Sequence, residues 1–125
     1  MENDLLMLNT STGNFLIDTN TIVRIEASSN YSKLYFSNGK TLVTAKVLKW
    51  FEERLPGECF TRLHRSHLVN NCFLQFGQNI DNALALKNGK IIQVSRRRKK
   101  QVLLNLMHLK QVFTLSKPAL LSPAC

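Results

Sequence analysis

Residues 60–70 read Phe-Thr-Arg-Leu-His-Arg-Ser-His-Leu-Val-Asn, and this stretch decides how the rest of the chain is interpreted. It combines two imidazoles, two guanidiniums and two hydroxyls with no carboxylate, and apolar residues flank it on both sides. A strand that leaves a core, turns through a donor-rich loop at residues 64–67 and returns as a strand has this composition. Such a loop suits phosphates and purine edges. The alternative is a solvated basic loop with a core histidine.

The composition of the whole chain favours an anionic partner. The 125 residues contain 17 Lys and Arg against 8 Asp and Glu, for a net charge of +9. No acidic residue follows Asp81, whereas nine Lys and Arg do. This imbalance predicts attraction to nucleic acid or to an anionic membrane surface. With 44% hydrophobic residues, the chain is long enough for one domain with a single core.

Cysteine usage and hydropathy indicate the cellular compartment. Cys59, Cys72 and Cys125 show neither a disulfide framework nor a metal-binding spacing, so we expect free thiols. No apolar run approaches the roughly 18 residues of a membrane span. The start Met-Glu-Asn-Asp lacks the basic region of a signal peptide. We therefore expect a cytoplasmic protein.

The hydrophobic pattern predicts a mainly β fold. Asn38-Gly39 and Asn88-Gly89 each join two apolar runs, which predicts two hairpins with positive φ at both turn residues. A turn is expected at residues 77–81. The strand candidates are 5–8, 15–17, 22–26, 31–36, 41–44, 59–62, 68–70, 72–76, 83–86 and 91–94.

Two stretches change to helical periodicity. Residues 45–55 predict a short helix with Thr44 as its cap and Pro56 as its stop, and Lys46 could help its free amides hold a phosphate. Ser95 is the expected cap of a C-terminal helix whose first turn is basic, an arrangement that opposes the helix dipole unless a phosphate binds there. Its apolar stripe is Val102, Leu103, Leu106, Leu109 and Val112.

His64 and His67 are the candidates for catalysis or metal binding. No carboxylate in a recognisable signature orients them, so a ribonuclease that uses two histidines remains a minor alternative. No close Cys or Asp completes a metal site, and no phosphate-binding glycine loop is present. We predict no enzymatic activity, no cofactor and no metal.

Nucleic-acid binding fits the remaining pattern. Three donor-rich, acid-free segments lie between strands at residues 28–33, 64–67 and 95–100. Each combines Arg or Lys with small hydroxyl or amide side chains, the mixture that anchors phosphates and reads base edges. If the strands bring all three to one edge, they form a single contact surface.

The three segments resemble, in order and separation, the signature blocks of LytTR-type DNA-binding domains, the output modules of many bacterial response regulators. The blocks are Ile-Glu-Ala-Ser-Ser-Asn-Tyr-Ser at 25–32, the stretch at 60–70, and Val-Ser-Arg-Arg-Arg at 94–98. The resemblance implies elongated antiparallel β-sheets with one short mid-chain helix and a C-terminal helix. By its extent it places the LytTR-like domain at 17–112, after an N-terminal strand or extension at 1–16. The prolines at 118 and 123 predict a flexible tail at 113–125.

The resemblance further implies a sequence-specific transcriptional regulator of two-component systems, whose loops enter successive grooves of paired direct repeats at promoters. By position it assigns groove contacts to Ser32, Arg65 and Arg97. Arginine can donate two hydrogen bonds to guanine O6 and N7, whereas the hydroxyl of Ser32 discriminates less between bases. His67 stands where the family commonly has an aromatic residue such as Tyr. Phosphate or supporting contacts fall on Asn30, Tyr31, Lys33, Lys46, His64, Ser66, Arg96 and Lys100.

Double-stranded DNA is therefore the expected partner, with a second copy on the adjacent repeat and a sensor or regulatory protein as further partners. One alternative is an RNA-binding β module in which Tyr31 or Tyr35 stacks on bases. Another is a non-catalytic interaction domain, for which the basic loops would not converge in space.

Overall fold

The computed structural model describes residues 5–74 and 83–106, which form antiparallel β-sheets and two helices. Short 3-10 turns occupy Thr19–Thr21 and Asn71–Phe73. The elements are β1 (Leu5–Thr10), β2 (Gly13–Asp18), β3 (Ile22–Ser28), β4 (Tyr31–Phe36), β5 (Thr41–Thr44), α1 (Leu48–Arg54), β6 (Phe60–His64), β7 (His67–Asn70), β8 (Ala83–Ala85), β9 (Ile91–Gln93) and α2 (99–106 as far as described).

The largest sheet has the strand order β5-β4-β3-β7-β6, and every neighbouring pair is antiparallel. Strands β1 and β2 form a separate hairpin, as do β8 and β9. The predicted mainly antiparallel β fold with a short mid-chain helix and a C-terminal helix is confirmed. In the described ranges, no helix has the length and apolar character needed to span a membrane.

The five-stranded sheet buries apolar side chains on both of its faces. On one face, the β1–β2 hairpin and α1 cover a cluster that includes the fully buried Leu8, Ile25 and Phe51. On the other face, β8, β9 and α2 cover a cluster that includes Leu63 and Ile92. Burying a side chain of this size contributes about 2 kcal/mol, whereas an exposed ion pair contributes at most about 1 kcal/mol. Packing on the two faces therefore holds the layers together.

The mid-chain helix is shorter than predicted, because α1 begins only at Leu48 and not near residue 45. Its N-cap is Val47, whose side chain makes no capping hydrogen bond and is 57% exposed. The predicted cap Thr44 is the buried end of β5, and its Oγ1 accepts a hydrogen bond from the Lys46 N–H (3.3 Å). Lys46 therefore lies two residues before the seven-residue α1, and its role as a phosphate contact stays a prediction.

Both Asn-Gly hairpins form where predicted, but their turns differ from the predicted type. Gly39 and Gly89 have positive φ (87° and 94°), whereas the preceding asparagines do not. The Oδ1 atoms of Asn38 and Asn88 instead accept hydrogen bonds from the N–H of the lysine two residues later, at 2.9 and 3.0 Å. A three-residue loop with a left-handed glycine has this pattern, so the asparagine side chain closes the turn without adopting positive φ.

The strand predicted at 72–76 is wrong in its described part. Residues 72 and 73 belong to a 3-10 turn, because the Asn70 Oδ1 accepts a hydrogen bond from the Cys72 N–H (3.0 Å) and caps it. Leu74 makes only an isolated bridge to Leu86. Residues 75–76 and the turn predicted at 77–81 lie outside the described residues.

The start of the C-terminal helix also differs in detail from the prediction. The Ser95 Oγ accepts a hydrogen bond from the Arg98 N–H (3.3 Å), but residues 96–98 form a turn and the helix begins at residue 99. The three arginines therefore precede the helix and do not oppose its dipole from within. Leu103 is 47% exposed and does not belong to the buried stripe. Leu109, Val112 and the tail lie outside the described residues.

Candidate nucleic-acid interface

Two of the three predicted segments meet at one end of the five-stranded sheet. Two-residue turns join β3 to β4 at Ser29-Asn30 and β6 to β7 at Arg65-Ser66. Because β3 pairs with β7, the Ala27 N–H donates a hydrogen bond to the Ser66 carbonyl (2.9 Å). The two turns therefore lie side by side.

Strand β5 ends at the same place. Thr44 is paired with Ser32 in the register of β4 and β5, so the connection from β5 to α1 starts beside the Ser29-Asn30 turn. Lys46 lies in this connection with its Nζ 5.2 Å from the centre of the Trp50 ring. This cation–π contact restrains the lysine side chain at the sheet end.

The third predicted segment attaches to the edge strand β6. The Ser95 N–H donates a hydrogen bond to the Leu63 carbonyl (2.8 Å), two residues before Arg65. The segment that carries Arg97 therefore starts next to the same sheet end. This placement counts against the interaction-domain alternative, which predicted loops that do not converge. We define the basic end by residues 29–31, 45–46, 64–66 and 95–97.

The predicted contact residues differ in how far their side chains reach solvent. The exposed ones are Asn30, Tyr31, Arg65, Arg96, Arg97 and Lys100. The half-buried ones are Lys33, Lys46, His64 and Ser66. The His64 Nδ1 accepts a hydrogen bond from the Ser66 N–H (3.1 Å), so this histidine supports the turn from within.

Ser32 does not fit its predicted groove contact. Its exposure is 0%, and its Oγ has no hydrogen-bond partner among the described residues. The residue lies opposite Ala27 on one side and the buried Thr44 on the other. A side chain held inside the sheet layer cannot reach a base edge, so we remove Ser32 from the contact residues.

The Ser29-Asn30 turn contains backbone strain. Ser29 has a φ of 57° and is the single non-glycine residue with positive φ among those described. This left-handed conformation costs a residue with a Cβ about 1 kcal/mol. The strain falls at the basic end, where a turn of fixed shape presents Asn30 and Tyr31.

A cluster of charged groups lies under the Arg65-Ser66 turn. Burial lowers the pKa of His67 below its ordinary value, the neighbouring Arg24, His64 and Lys90 add to this, and Glu26 opposes it. For Glu26, burial alone would raise the pKa, but the hydrogen bond and charge of Arg24 outweigh burial and leave the pKa below its ordinary value. Their bond is short, with the Arg24 Nη1 2.6 Å from the Glu26 Oε1.

Two basic residues of this region were not assigned from the sequence. Lys90, in the β8–β9 turn, acts electrostatically on Glu26 and His67 and so adds positive charge beside the basic end. Arg62 donates hydrogen bonds to Glu52 and to two carbonyls of the β6–β7 turn. Charge alone could mark both residues, but only the packing of β8–β9 and α1 gives them these positions.

The described residues offer little for catalysis or metal binding. No group of three His, Cys, Asp or Glu side chains within residues 5–74 and 83–106 could hold a metal ion. The His64 and His67 rings are 5.8 Å apart between centroids. The nearby Glu26 carboxylate is held by Arg24, so it does not orient either ring for acid–base chemistry.

An antiparallel β domain with several basic turns at one end is typical of the β modules that bind nucleic acids through loops. Comparisons with known proteins narrow this class. The family model described as "LytTr DNA-binding domain" matches residues 12–107. The chain therefore belongs to the LytTR family of DNA-binding domains, which act in transcription regulation as response-regulator outputs. The domain boundaries predicted at residues 17 and 112 stay predictions.

A solved structure has the same fold. It is the LytTr DNA-binding domain of a protein described as a methyl-accepting/DNA response regulator from Bacillus cereus. The match has a TM-score of 0.69 at 23% identity and covers 82% of this chain and 96% of the other. No curated protein matched the chain.

Proposed function

We propose that this protein is a sequence-specific transcriptional regulator that inserts its basic end into successive grooves of a promoter, without catalysing a reaction. Arg65 and Arg97 make the base contacts, because both are exposed and Arg can bind guanine O6 and N7 together. The phosphate and supporting contacts come from Asn30, Tyr31, Lys33, Lys46, His64, Ser66, Arg96 and Lys100.

One observation carries this proposal: turns that are far apart in the sequence meet at one sheet end. The Ala27–Ser66 and Ser95–Leu63 backbone hydrogen bonds make this connection. Phosphate contacts give affinity and base contacts give specificity, and both kinds of donor are present there. A cytoplasmic location follows from a promoter as the target.

The RNA-binding alternative has less support. Tyr35 is covered by the Arg24 guanidinium, whose Cζ is 3.7 Å from the ring centroid, and Lys33 lies 5.3 Å from the same centroid. This leaves Tyr31, which is 56% exposed, as the one tyrosine ring open to a base. Single-strand binders stack successive bases on several aromatic rings.

Selection of purified protein from a pool of random duplexes tests the proposal. We expect a recovered motif that repeats at about one helical turn, with one copy of the protein on each repeat. Affinity for it should fall steeply as salt rises, since bound phosphates release counterions. Recovery of no motif, or tighter binding to single-stranded RNA of equal length, would contradict the proposal.

A further inference from the structure

Each of the three guanidinium nitrogens of Arg62 donates a hydrogen bond to a different acceptor. Its Nη1 donates to the Glu52 Oε1 (2.5 Å), its Nε to the His64 carbonyl (2.9 Å) and its Nη2 to the Arg65 carbonyl (2.6 Å). The side chain of Arg62 is 16% exposed and that of Glu52 is 36% exposed. Arg62 thus connects helix α1 to the backbone of the β6–β7 turn.

The side chain of Arg65 is in the opposite situation. It is exposed and makes no hydrogen bond within the described part of the chain, whereas its carbonyl is held by Arg62. A long side chain on a mobile turn loses much freedom on binding, and a turn fixed beforehand reduces that cost. Fixing the backbone of Arg65 therefore lowers the entropy that would be lost when its guanidinium binds a base pair.

We propose that Arg62 is a positioning residue for DNA recognition: Glu52 orients Arg62, and Arg62 holds the turn from which Arg65 reaches the groove. This inference rests on the proposed function. Arg62 does not itself touch DNA, because its side chain is only 16% exposed, each of its three nitrogens already donates to an acceptor, and Glu52 neutralises its charge. Two other roles are distinguishable by experiment, namely a direct phosphate contact and a purely structural brace.

A double-mutant cycle on the full chain tests this role. Arg62→Lys keeps the positive charge but cannot reach all three acceptors, because an ammonium lacks the planar fork. With the duplex recovered by selection, we expect Arg62→Lys to weaken binding about tenfold, in the range of one good base contact. Random duplex should bind with unchanged affinity and salt slope. In an Arg65→Ala background, Arg62→Lys should have no further effect.

Glu52→Ala gives a second test with an unusual sign. It raises the net charge by one, which by itself would strengthen binding to any DNA. If Glu52 orients Arg62, the ratio of preferred to random affinity should nevertheless fall, by about threefold. Arg54→Lys is the matched control on the same helix. The Arg54 side chain is 46% exposed, and its ion pair is long, with the Arg54 Nη1 3.9 Å from the Glu53 Oε1. It should change neither affinity nor the ratio.

The outcomes separate the possible roles. Additive losses in the cycle, or an equal loss on random duplex with a smaller salt slope, would overturn the inference in favour of a direct contact. A lower melting temperature with unchanged preference would overturn it in favour of a structural brace. If Arg62→Lys does not fold, Glu52→Ala decides. If the wild type selects no motif, the proposed function itself has failed. If Arg65→Ala loses the preference for the selected duplex but Arg62→Lys and Glu52→Ala keep it, only the role of Arg62 is rejected.

Discussion

The two ends of the β6–β7 hairpin use polar side chains in opposite ways. At the end away from the turn, Thr61, Asn70 and Asn71 are at most 3% exposed. The Thr61 Oγ1 donates to the Asn71 Oδ1 (2.6 Å), and the Asn70 Nδ2 donates to the Ile22 carbonyl (2.9 Å). At the basic end, Arg65 is exposed with its donors unused by the described residues. Polar groups at one end complete the fold, and those at the other are offered to a ligand.

The two Asn-Gly hairpins provide a second, matched comparison. Both turns make the same backbone hydrogen bonds, Phe36 N–H to Lys40 O at 2.9 Å and Leu86 N–H to Lys90 O at 2.8 Å. The first turn lies beyond the Ile22–Phe36 pair, at the sheet end opposite to the basic end. The second brings Lys90 near Glu26 and His67. The same local sequence therefore only reverses the chain in the β4–β5 turn, whereas in the β8–β9 turn it also adds positive charge beside the basic end.

The largest effect should come from Asn70→Ala at the buried end. The substitution removes the amide that donates to the Ile22 carbonyl and accepts from the Cys72 N–H, and the loss of a partner for a buried polar group costs about 1–3 kcal/mol. We expect the free energy of unfolding in urea to fall by about 3 kcal/mol. DNA affinity per folded molecule should not change. A stability loss below about 0.5 kcal/mol would show that the two ends do not differ as described.

Arg97→Ala should have the next largest effect, and at the basic end it should be on binding. Replacing an exposed arginine should leave the melting temperature unchanged and cost about 1–3 kcal/mol on the preferred duplex. Base preference should relax at one position of the motif. Titration of matched preferred and random duplexes gives the comparison, and an equal loss on both would mean that Arg97 touches only phosphate.

The sequence was sufficient to predict most strands and both hairpins, because alternation and Asn-Gly turns are local signals. It also predicted which segments converge, through the resemblance and through their shared lack of carboxylates. Local signals failed for Thr44 and for residues 72–73. The Thr44 hydroxyl accepts from the Lys46 N–H before the helix begins, and the Asn70 amide oxygen accepts from the Cys72 N–H and so replaces the predicted strand with a turn.

The candidate site was less predictable, because burial and pairing depend on distant strands. Ser32 and Asn30 look equivalent in the sequence, but the register of β4 with β3 and β5 buries the first and leaves the second in a turn. Arg62 and Arg65 also look equivalent. Only the placement of Glu52 on α1 shows that one is held in place and the other is free to bind.

The matched hairpins lead to a smaller expected effect. Lys90→Ala should weaken binding to any duplex and reduce the slope of log affinity against log salt by about 0.9, the effect of one lost phosphate contact. Lys40→Ala is the control: it removes one positive charge from the matching position of the β4–β5 turn, at the sheet end opposite to the basic end. The salt slope of this variant should match that of the wild type. Equal slopes for the two variants would place Lys90 outside the DNA surface.

The smallest effect is the pH dependence of the free energy of unfolding. It again distinguishes the two ends, since the asparagines of the buried end do not titrate and His67, beside the basic end, does. The groups that face His67 are Glu26, Arg24, His64 and Lys90, and burial, together with the neighbouring Arg24, His64 and Lys90, keeps its pKa below the ordinary 6.5. The folded state therefore binds this proton less readily than the unfolded state. The stability that His67 contributes is complete above about pH 6.5 and is lost as the pH falls from there through its folded pKa.

His67→Phe removes this titration, and the Nδ1 that it deletes has no hydrogen-bond partner among the described residues. Between about pH 7.5 and 5.5, the urea unfolding free energy of the wild type should fall more than that of the variant. Glu26 does not account for this difference, because its pKa lies below 4.5 and its own contribution is lost only in more acidic solution. Parallel pH profiles for the two proteins would show that His67 is not disfavoured as a cation in the folded state.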